Sequence, residues 1–526
     1  MDSARDAGRS KVNDGWANRL EFFVTTHFAP VWDLVQLLGP VRRQVNRLLV
    51  NRAILKMPTR PAPLSTKTPY SSWDSLTDRT FIGRHLPPKA DPDTGYPGVE
   101  RTADLFARQG DTVLCPKSTV LFAYFAQWFT DGFLRSDHSE PRDPRKTTSN
   151  HEIDLSQVYG PNAAVTRLLR DKEGGLLKSQ YIGTEEYPPY LCEKGVIKPE
   201  FVGLSVVNFD ELSLAQKNGL FAMGGDRANS QVGYTMLNVL FIREHNRVAR
   251  LLARDHPEWD NERLFETTRN ILIVLLIKVV VSEYINHITP YHFKFFLDAS
   301  AFPNERWHRP NWMAIEFNLL YRWHSLVPSK INIGEEELPM HGTIFNNELL
   351  VRRGLGPLFE DSSNQRAGKV GLFNTDPALR ETEIQSIVQA RQVHLASYND
   401  YRANCQYPRV TDFDQISGDP AVQSALRDVY GSVANIEFYT GLFAEDVRPN
   451  SVLPSLIGRM VGIDAFSQAL TNPLLAPRVF TEETFSRRGM HLINETKTLS
   501  DLLHRNLADG SQKHFVSLTR RGWHRE

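Results

Sequence analysis

The sequence predicts a mainly α-helical protein, and three observations lead to that fold class. Apolar residues recur at helical spacing over residues 118–136, 231–254 and 261–288. Loops that contain proline and glycine separate these segments, and no segment shows the sustained two-residue alternation of a β-strand. The sequence shows no self-similarity at periods of about 20 to 50 residues, which argues against a repeat protein.

The composition is that of a globular protein that can bury a large core. Hydrophobic residues make up 41% and charged residues 23% of the 526 residues, values typical of folded chains. Lys plus Arg and Asp plus Glu number 61 each, so the net charge predicts no nucleic-acid partner. The three cysteines, Cys115, Cys192 and Cys405, are far apart and form no CxxC pair. We therefore expect free, buried thiols, and neither a disulfide scaffold nor a thiolate metal site.

We divide the chain into three parts. Residues 1–26 begin without the apolar run of a secretory signal and are expected to form a flexible N-terminus. Residues 27–60 are expected to form short amphipathic helices, and residues 61–526 the catalytic body, which begins within a proline-rich connection at 57–73. This organisation predicts a cytoplasmic or peripheral membrane protein, not one secreted through a recognisable signal peptide.

The segment 27–60 has two interpretations. It places apolar residues at spacings of three and four between arginines, and Gly39-Pro40 should divide it into short helices. Apolar faces with basic flanks are typical of helices in a membrane interface, but the same pattern fits helices that pack on the body of the protein. By contrast, the apolar run 271–281 is too short to span a bilayer and contains Lys278, so we expect a buried helix there.

Two segments contain candidate chemistry. In 314–331, Tyr321 and His324 are three residues apart and would share one face of a helix. A neutral imidazole is a good ligand for haem iron, and a tyrosine one turn away could exchange an electron with the haem. Taken alone, this pattern more often marks a histidine of the core or the surface.

The second segment is an aromatic helix at 122–137. Gln127 and Asp131 are four residues apart on one face of it, beside a stripe of phenylalanines. A polar pair in so apolar a helix must find partners or line a cavity. The alternative is a satisfied buried amide and a carboxylate at the helix surface.

Eight segments, taken together and in order, carry a resemblance to a known family. They are FAQWFT (125–130), DLSQVYG (154–160), EEYPPYL (185–191), REHNRV (243–248), HPEWDNERLFETTRNILI (256–273), YHFKF (291–295), EFNLLYRWHSLVP (316–328) and EFYTGLFAEDVRP (437–449). The chain resembles the haem peroxidases of animal type, specifically the cyclooxygenases (prostaglandin endoperoxide synthases), over roughly residues 25 to 470. This resemblance implies a large, single-body helical haem peroxidase domain with haem b as cofactor, preceded by short membrane-binding helices.

The resemblance also implies roles for individual residues. Tyr321 matches the tyrosine that becomes a radical, His324 the proximal ligand of the haem iron, and Gln127 the distal glutamine. Arg52 matches the arginine that pairs with the substrate carboxylate, and Tyr291 the tyrosine that partners it at the mouth of the channel.

Three further matches concern the channel and the haem pocket. Tyr284 matches a second channel tyrosine, and Tyr439 matches the tyrosine beneath the haem. Ser467 corresponds, across a one-residue gap, to the serine that aspirin modifies in the animal enzymes. Each of these three residues also fits ordinary packing or inert channel lining. The charged REHNR string is expected to be structural, with buried arginine–carboxylate pairs.

The implied activity is haem-dependent oxygenation of a polyunsaturated fatty acid. A peroxide oxidises the haem, Tyr321 gives up an electron, and its radical removes hydrogen from the acyl chain before O2 adds. Arg322 makes the motif YRWH, which also resembles fungal fatty-acid dioxygenases, so a cyclic endoperoxide and a linear hydroperoxide both remain open as products. The family also implies a peripheral membrane surface and a homodimer as partners.

Asp131 departs from the family pattern, because cyclooxygenases have a distal histidine at this position. A carboxylate could exchange protons with a peroxide if it were partly buried with a raised pKa. An ionised, solvated carboxylate would be a poor acid, so Asp131 weakens the expected peroxidase activity. Two alternatives follow: a haem peroxidase that oxidises small reductants, and an impaired haem-binding protein.

Overall fold

The computed structural model describes residues 14–57, 70–89, 95–137, 139, 141–310, 312–508, 510 and 512–525. Most of the proline-rich connection and the first 13 residues of the expected flexible N-terminus lie outside the described residues. The rest of that terminus differs from the expectation, because Trp16–Thr26 is a helix. It is docked on the body through Asn18, whose amide donates to the Gln406 carbonyl at 2.9 Å.

The helices that begin the chain form a separate group. They are α1 (Trp16–Thr26), α2 (Ala29–Leu37) and α3 (Gly39–Ile54). Pro30 and Pro40 occupy the first turn of α2 and α3, where a missing N–H costs nothing. Gly39-Pro40 therefore divides this segment into short helices, as predicted.

The body is mainly helical, which confirms the predicted fold class. Its helices are α4 (Trp73–Thr77), α5 (Val99–Ala103), α6 (Val120–Asp131), α7 (Ser156–Tyr159), α8 (Ala163–Leu169), α9 (Leu214–Gly219), α10 (Val232–Asp255), α11 (Asn261–Val279), α12 (Ile285–Ile288), α13 (Ile315–Leu320), α14 (Glu348–Arg353), α15 (Leu355–Asn364), α16 (Arg380–Gln392), α17 (Tyr398–Asn404), α18 (Pro420–Tyr430), α19 (Phe438–Ala444), α20 (Ser455–Leu470), α21 (Glu482–Glu495) and α22 (Leu499–His504).

Within the described residues, short strands pair into four antiparallel two-stranded sheets. The strands are β1 (Leu114–Thr119), β2 (Gln180–Ile182), β3 (Glu185–Tyr187), β4 (Cys192–Glu193), β5 (Val196–Ile197), β6 (Lys330–Ile333), β7 (Glu336–Pro339) and β8 (Arg366–Gly368). The pairs are β1 with β8, β2 with β3, β4 with β5, and β6 with β7.

The core is built on α10, which packs against both α6 and α11. Trp128 of α6 is fully buried, and its indole N–H donates to Asn238 Oδ1 of α10 at 2.8 Å. Gly233 lets α10 approach α6 so closely that a Cβ there would overlap the Tyr124 ring. This contact fixes the helix that carries Gln127 and Asp131.

The apolar helix over 261–288 is a core helix, as predicted. It is the one candidate membrane span among the described residues, and 83% of its most apolar window is buried inside the protein. Between α11 and α12 the backbone forms a π-helical turn at Val280–Tyr284. Such turns often occur at functional sites, and this one contains Tyr284.

The REHNR string is structural, as predicted. Arg243 pairs with Glu185 at 3.1 Å, and its side chain is almost fully buried. Glu244 is fully buried and pairs with both Arg247 and Arg505. These ion pairs join α10 to β3 and to the C-terminal part of the chain. The three cysteines are free and buried, also as predicted.

Candidate active site

The largest cavity of the site lies between α6 and the segment that follows α13. Its volume is about 450 Å³, within the ~300–1,000 Å³ typical of ligand pockets. Gln127 and Asp131 line it from α6, and Tyr321 and His324 line it from the other segment. The structure therefore brings both sequence-predicted segments to one cavity. We call it the central cavity.

Gln127 and Asp131 differ in their surroundings, although both face the central cavity. The Gln127 side chain is exposed to the cavity, and its Oε1 accepts from Gln231 Nε2 at 3.1 Å. Asp131 is buried at 6% exposure. Arg227 Nη1 donates to its Oδ1 at 2.8 Å, and the Tyr234 hydroxyl donates to its Oδ2 at 2.7 Å.

These partners fix Asp131 as a hydrogen-bond acceptor. Arg135 adds a third, longer contact at 3.5 Å. Burial, together with the Asp131 carboxylate, raises the pKa of Tyr234 well above its ordinary value, so the phenol keeps its proton and remains the donor. Both oxygens of the Asp131 carboxyl group are therefore engaged as acceptors, by guanidinium groups and by a phenol.

The expectation that Tyr321 and His324 share a helix face is wrong. Helix α13 ends at Leu320, Tyr321 is its C-cap residue, and His324 begins a separate 3-10 turn. The Trp323 indole N–H donates to the Leu320 carbonyl at 2.6 Å and so satisfies one of the acceptors at the helix end. The two side chains still meet, because both line the central cavity.

Tyr321 is held in an aromatic cluster. Its ring stacks on Trp323 at 4.6 Å between centroids and meets the edge of Phe317 at 5.0 Å. Burial raises the pKa of Tyr321, and a contact between its hydroxyl and that of Tyr284 partly offsets the shift. The π-helical turn thus presents Tyr284 to the Tyr321 hydroxyl, inside a region that is otherwise apolar.

His324 faces the cavity on one side and a carboxylate on the other. Its Nδ1 lies 3.0 Å from Glu383 Oε1, within ion-pair distance although not aligned as a full hydrogen bond. This leaves Nε2 for a ligand on the cavity side. Glu383 in turn accepts from the Tyr439 hydroxyl at 2.7 Å, so Tyr439 is linked to His324 through this carboxylate, and its assignment beneath the haem stays a prediction.

The walls of the central cavity fit a haem. An imidazole lies on one wall, and Gln127, Asp131 and Arg227 lie on the other. Apolar side chains such as Leu326 line the space between them, and guanidinium groups of the wall can pair with carboxylates. A second cavity of about 300 Å³ adjoins the first and shares Gln127 and Arg227 with it. Among the described side chains of these walls, His324 is the one that could bind the iron.

A smaller cavity of about 90 Å³ lies beside α1 and α20. It contains Tyr291, which the family resemblance places at the mouth of the substrate channel, and for that reason we call it the acyl cavity; binding of an acyl chain there is a prediction. Tyr291 lines it together with Tyr407, Arg459 and apolar residues of α20. Burial raises the pKa of Tyr291 to about 12, which keeps its hydroxyl as a donor. Tyr284 links the two sites, because its hydroxyl contacts Tyr321 while its neighbour Ile285 lines the acyl cavity.

Arg52 and Ser467 do not line the acyl cavity. Arg52 is half exposed and pairs at 3.0 Å with Glu21, whose side chain does line it. The Ser467 hydroxyl donates back to its own helix, to the Ile463 carbonyl at 2.9 Å. Its neighbour Phe466 faces the cavity instead. The structure therefore brings Tyr291, but neither Arg52 nor Ser467, to the cavity wall.

Several residues of these sites were not predicted, and three of them matter most to the proposals below. Arg227 binds Asp131, Glu383 contacts His324, and Arg459 lines the acyl cavity. Each lies far in sequence from the predicted residues of the same site. Local spacing contains no signal for them, since Glu383 belongs to a helix turn, RETE, that looks like a solvated surface.

The chain is similar to known proteins over most of its length. A model of the family described as animal haem peroxidase matches residues 126–516. Prostaglandin G/H synthase 2 of Equus caballus is 31% identical over 501 residues, which cover 92% of this chain and 80% of that protein. Prostaglandin G/H synthase 2 of Gallus gallus is 30% identical with the same coverage.

Solved structures show the same fold. Fatty acid alpha-dioxygenase of Oryza sativa superposes with a TM-score of 0.70 at 17% identity, over 93% of this chain and 92% of that one. Peroxidase A of Dictyostelium discoideum superposes with a TM-score of 0.68 at 19% identity, over 84% and 95%.

Proposed function

This chain belongs to the animal haem peroxidase family, and from that premise we propose that it is a haem-dependent fatty-acid dioxygenase in which Tyr321 carries the oxidising radical. It is an oxidoreductase with haem as cofactor. One observation carries the proposal: Tyr321 and His324 line one cavity, while the Tyr321 hydroxyl faces Tyr284 on the side of the acyl cavity.

In this proposal His324 would hold the haem iron through Nε2, and a bound haem would supply peroxide-driven one-electron oxidation. Tyr321 is the residue placed to give up that electron. Gln127 and Arg227 bind and orient the peroxide at the opposite wall. Asp131 orients Arg227 and accepts hydrogen bonds, and its catalytic contribution as an acid is small because its two oxygens are already engaged.

Tyr321 then acts on the acyl chain. Having lost an electron and its phenolic proton, it takes a hydrogen atom from an activated methylene and becomes a neutral phenol again. O2 adds to the carbon radical. The resulting peroxyl radical regains a hydrogen atom from Tyr321, so that one hydroperoxide forms and the radical is restored. The hydroxyl of Tyr284 holds the phenol in position, and the aromatic cluster excludes water.

We infer that the substrate carboxylate binds at the polar end of the acyl cavity. Glu21, Arg448 and Arg459 line that end, Arg52 and Lys56 pair with Glu21, and Asp14 pairs with Arg448, so four cations lie against two carboxylates. Burial acts to raise the pKa of Glu21, but hydrogen bonds from Lys56 and Arg52 lower it overall, so Glu21 is an anion that cancels one positive charge. The remaining positive charge, with the Tyr291 hydroxyl, favours an anionic head group. Arg52 contributes through Glu21, and Arg459 faces the cavity directly.

We also propose that α1 to α3 dock the protein on a membrane surface that contains the lipid substrate. These helices expose large apolar residues, namely Trp16, Leu20, Phe23, Val24, Phe28, Val31, Leu34, Leu37, Leu38, Val41 and Leu48. Apolar patches of this kind mark interaction sites. A homodimer, implied by the family resemblance, stays a prediction that sedimentation analysis tests.

Oxygen uptake by the haem-loaded protein tests the proposed function. Wild type and Tyr321→Phe are compared with linoleic and arachidonic acids, with a peroxide as initiator. Uptake by wild type that is lost in Tyr321→Phe, with the same haem absorption in both, is the expected result. Tyr398→Phe, which alters a buried phenol of another cluster, is the control.

Two other outcomes have defined meanings. Uptake that survives in Tyr321→Phe would overturn the radical assignment. Absence of uptake by a fully haem-loaded wild type, combined with oxidation of small reductants, would favour a plain haem peroxidase. Absence of both reactions would favour an impaired haem-binding protein.

A further inference from the structure

Glu383 is a buried carboxylate directly behind His324. It lies in the first turn of α16, is 2% exposed, and its Oε1 is 3.0 Å from His324 Nδ1. No sequence motif gives it a role, and the reaction proposed for Tyr321 does not use it. A carboxylate costs free energy to bury unless its oxygens are paired, so its position calls for an explanation.

Neutral donors hold this carboxylate in place. Thr375 Oγ1 donates to Oε1 at 2.9 Å, and the Tyr439 hydroxyl donates to Oε2 at 2.7 Å. Within the described part of the chain, no lysine or arginine forms an ion pair with Glu383; the Arg322 guanidinium acts on it only at longer range. The negative charge is thus fixed in position but not neutralised by a direct cation.

The supports of Glu383 are themselves rigid. Thr375 is buried, and its backbone N–H donates to the Phe106 carbonyl at 2.9 Å. Tyr439 is buried in α19 and stacks on Phe106 at 5.3 Å between ring centroids. Three separate segments therefore fix the carboxylate at the unliganded side of the imidazole, and such an arrangement selects one tautomer and one ring orientation.

We propose that Glu383 is a positioning residue that holds His324 with its proton on Nδ1 and strengthens the donation of electrons from Nε2 to haem iron. The proposal rests on the role of His324 as the haem ligand. An anionic acceptor at Nδ1 makes the imidazole a stronger base. A more basic ligand favours the oxidised over the reduced iron and so lowers the reduction potential. Tyr439 moderates this effect, because its hydroxyl withdraws charge from the same carboxylate.

The test compares Glu383→Gln with wild type after loading with haem. We expect the iron–histidine stretching band of the ferrous protein to move to lower frequency in the resonance Raman spectrum. We also expect the reduction potential to rise and haem affinity to fall by roughly 10- to 100-fold. Glu381→Gln is the matched control, because it removes the same charge from an exposed residue in the same helix turn.

Tyr439→Phe separates this role from simple structural damage. Loss of the phenolic donor leaves Glu383 a stronger acceptor for His324, so the band should move to higher frequency and the potential should fall. Opposite shifts in the two variants cannot come from a general loosening of the pocket. If Glu383→Gln does not load haem, Glu383→Asp is used instead. It keeps the carboxylate but places it farther from His324, so the band should again move to lower frequency.

Two results would overturn the proposal. In the first, the iron–histidine band and the reduction potential of Glu383→Gln match those of Glu381→Gln. Where Glu383→Asp has to be used instead, the same comparison applies to that variant. The other is a ferrous wild-type protein without an iron–histidine band. Neither measurement needs a fatty acid, so a failure of the proposed dioxygenase activity would leave this result readable on its own.

Discussion

At the wall of the central cavity opposite His324, Asp131 occupies a position where a proton acceptor and donor would speed cleavage of a peroxide. Such a group works best when its pKa lies near the operating pH and its proton is free to move. Asp131 instead accepts from Arg227 at 2.8 Å and from Tyr234 at 2.7 Å. Its side chain is therefore committed to holding Arg227 in place, and peroxide turnover should be slow.

Replacing Asp131 by histidine should raise peroxidase turnover. An imidazole titrates near neutral pH and can both accept and return the proton. We expect a gain of up to about 100-fold, the lower limit for a well-positioned general acid–base group. Stopped-flow measurement of the oxidation of a small reductant by peroxide, with equal haem content, tests this prediction.

Asp131→Asn is the control for that prediction, since an amide keeps the size of the side chain without acid–base chemistry. It also leaves Arg227 without its charge partner and should bind the peroxide less well. A histidine variant that is no faster than the asparagine variant would show that proton transfer does not limit this site.

At the acyl cavity, Arg459 should bind the substrate carboxylate more strongly than Arg52. Arg459 faces the cavity, whereas Arg52 is half exposed and paired with Glu21. Loss of a hydrogen bond to a charged group costs about 1.5–3 kcal/mol, so Arg459→Gln should raise KM for the acid about 10- to 100-fold. Arg52→Gln should change KM only slightly, because exposed pairs contribute about 0–1 kcal/mol.

The methyl ester of the same fatty acid is the substrate control, because it has no anionic head group. Arg459→Gln should leave KM for the ester nearly unchanged. Arg488→Gln, which breaks an exposed pair with Asp255, is the matched protein control. A larger effect in Arg52→Gln than in Arg459→Gln would return the anchoring role to Arg52.

Whether a site residue could be predicted depends on how far it lies in sequence from the residues that it contacts. Tyr321 and His324 belong to one short motif, and the family resemblance of that motif predicts their joint role. Glu383 meets His324 only because α16 packs against the segment after α13. Arg459, and not the predicted Arg52, lines the acyl cavity for the same reason. No local sequence pattern indicates which of these two arginines, on distant helices, points into the cavity.

At the scale of the elements, long apolar periodicity predicted α10 and the helix that contains α11, but not where helices stop. The YRWH motif has helical spacing, yet α13 ends at Leu320 because the Trp323 indole caps its carbonyl. The π-helical turn before α12 is likewise invisible in the apolar pattern. The apolar periodicity records neither the local indole cap nor the π-helical turn, and both features determine where the Tyr321 and Tyr284 hydroxyls meet.

The contact of α10 with α6 leads to a prediction about Gly233. A methyl group there would overlap the Tyr124 ring, which is buried and close-packed. Gly233→Ala should therefore destabilise the protein by about 1–3 kcal/mol, the cost of overpacking. Because α6 must shift, Gln127 should move and haem affinity should fall as well. Chemical denaturation and haem titration measure the two effects.

Gly462→Ala in α20 provides the comparison. A Cβ at this helical position meets no atom within 4 Å, and alanine favours a helix over glycine by about 1 kcal/mol. This variant should be as stable as wild type or slightly more so. Equal stability of the two variants would mean that α6 and α10 adjust without cost.

At the scale of the whole molecule, α1 to α3 contact the body through charged side chains and expose many of their apolar side chains to solvent. Their cations face the protein: Arg43 pairs with Asp298 at 2.5 Å, and Arg47 pairs with Glu305 at 2.6 Å. Val50 and Ile54 of α3 are buried in the core, whereas many large apolar residues of the three helices face outward and α2 has no buried residue. The helices therefore pack on the body, as one interpretation expects, and also expose an apolar surface. Their location in a membrane interface stays a prediction.

This surface also borders the acyl cavity. Asn18, Glu21 and Phe22 of α1 line that cavity, and its volume of about 90 Å³ is small for an acyl chain. A lipid substrate would therefore arrive next to α1, and α1 would have to shift to admit it. Docking of α1 to α3 on a bilayer would place this opening at the source of the substrate.

Vesicle binding should depend on α2. Leu34 and Leu37 are 57% and 81% exposed, and transfer of each into a bilayer interface should contribute up to about 1.5–3 kcal/mol. The double variant Leu34→Ser, Leu37→Ser should thus weaken sedimentation with phosphatidylcholine vesicles by about 10- to 100-fold. Val196→Ser, Val202→Ser removes equally exposed residues far along the chain and should bind as wild type does. Neutral vesicles are the proper probe, because two of the arginines are already paired and anionic lipid should add little.

Equal losses of vesicle binding in both double variants, or no vesicle binding by wild type, would exclude α2 as the membrane contact.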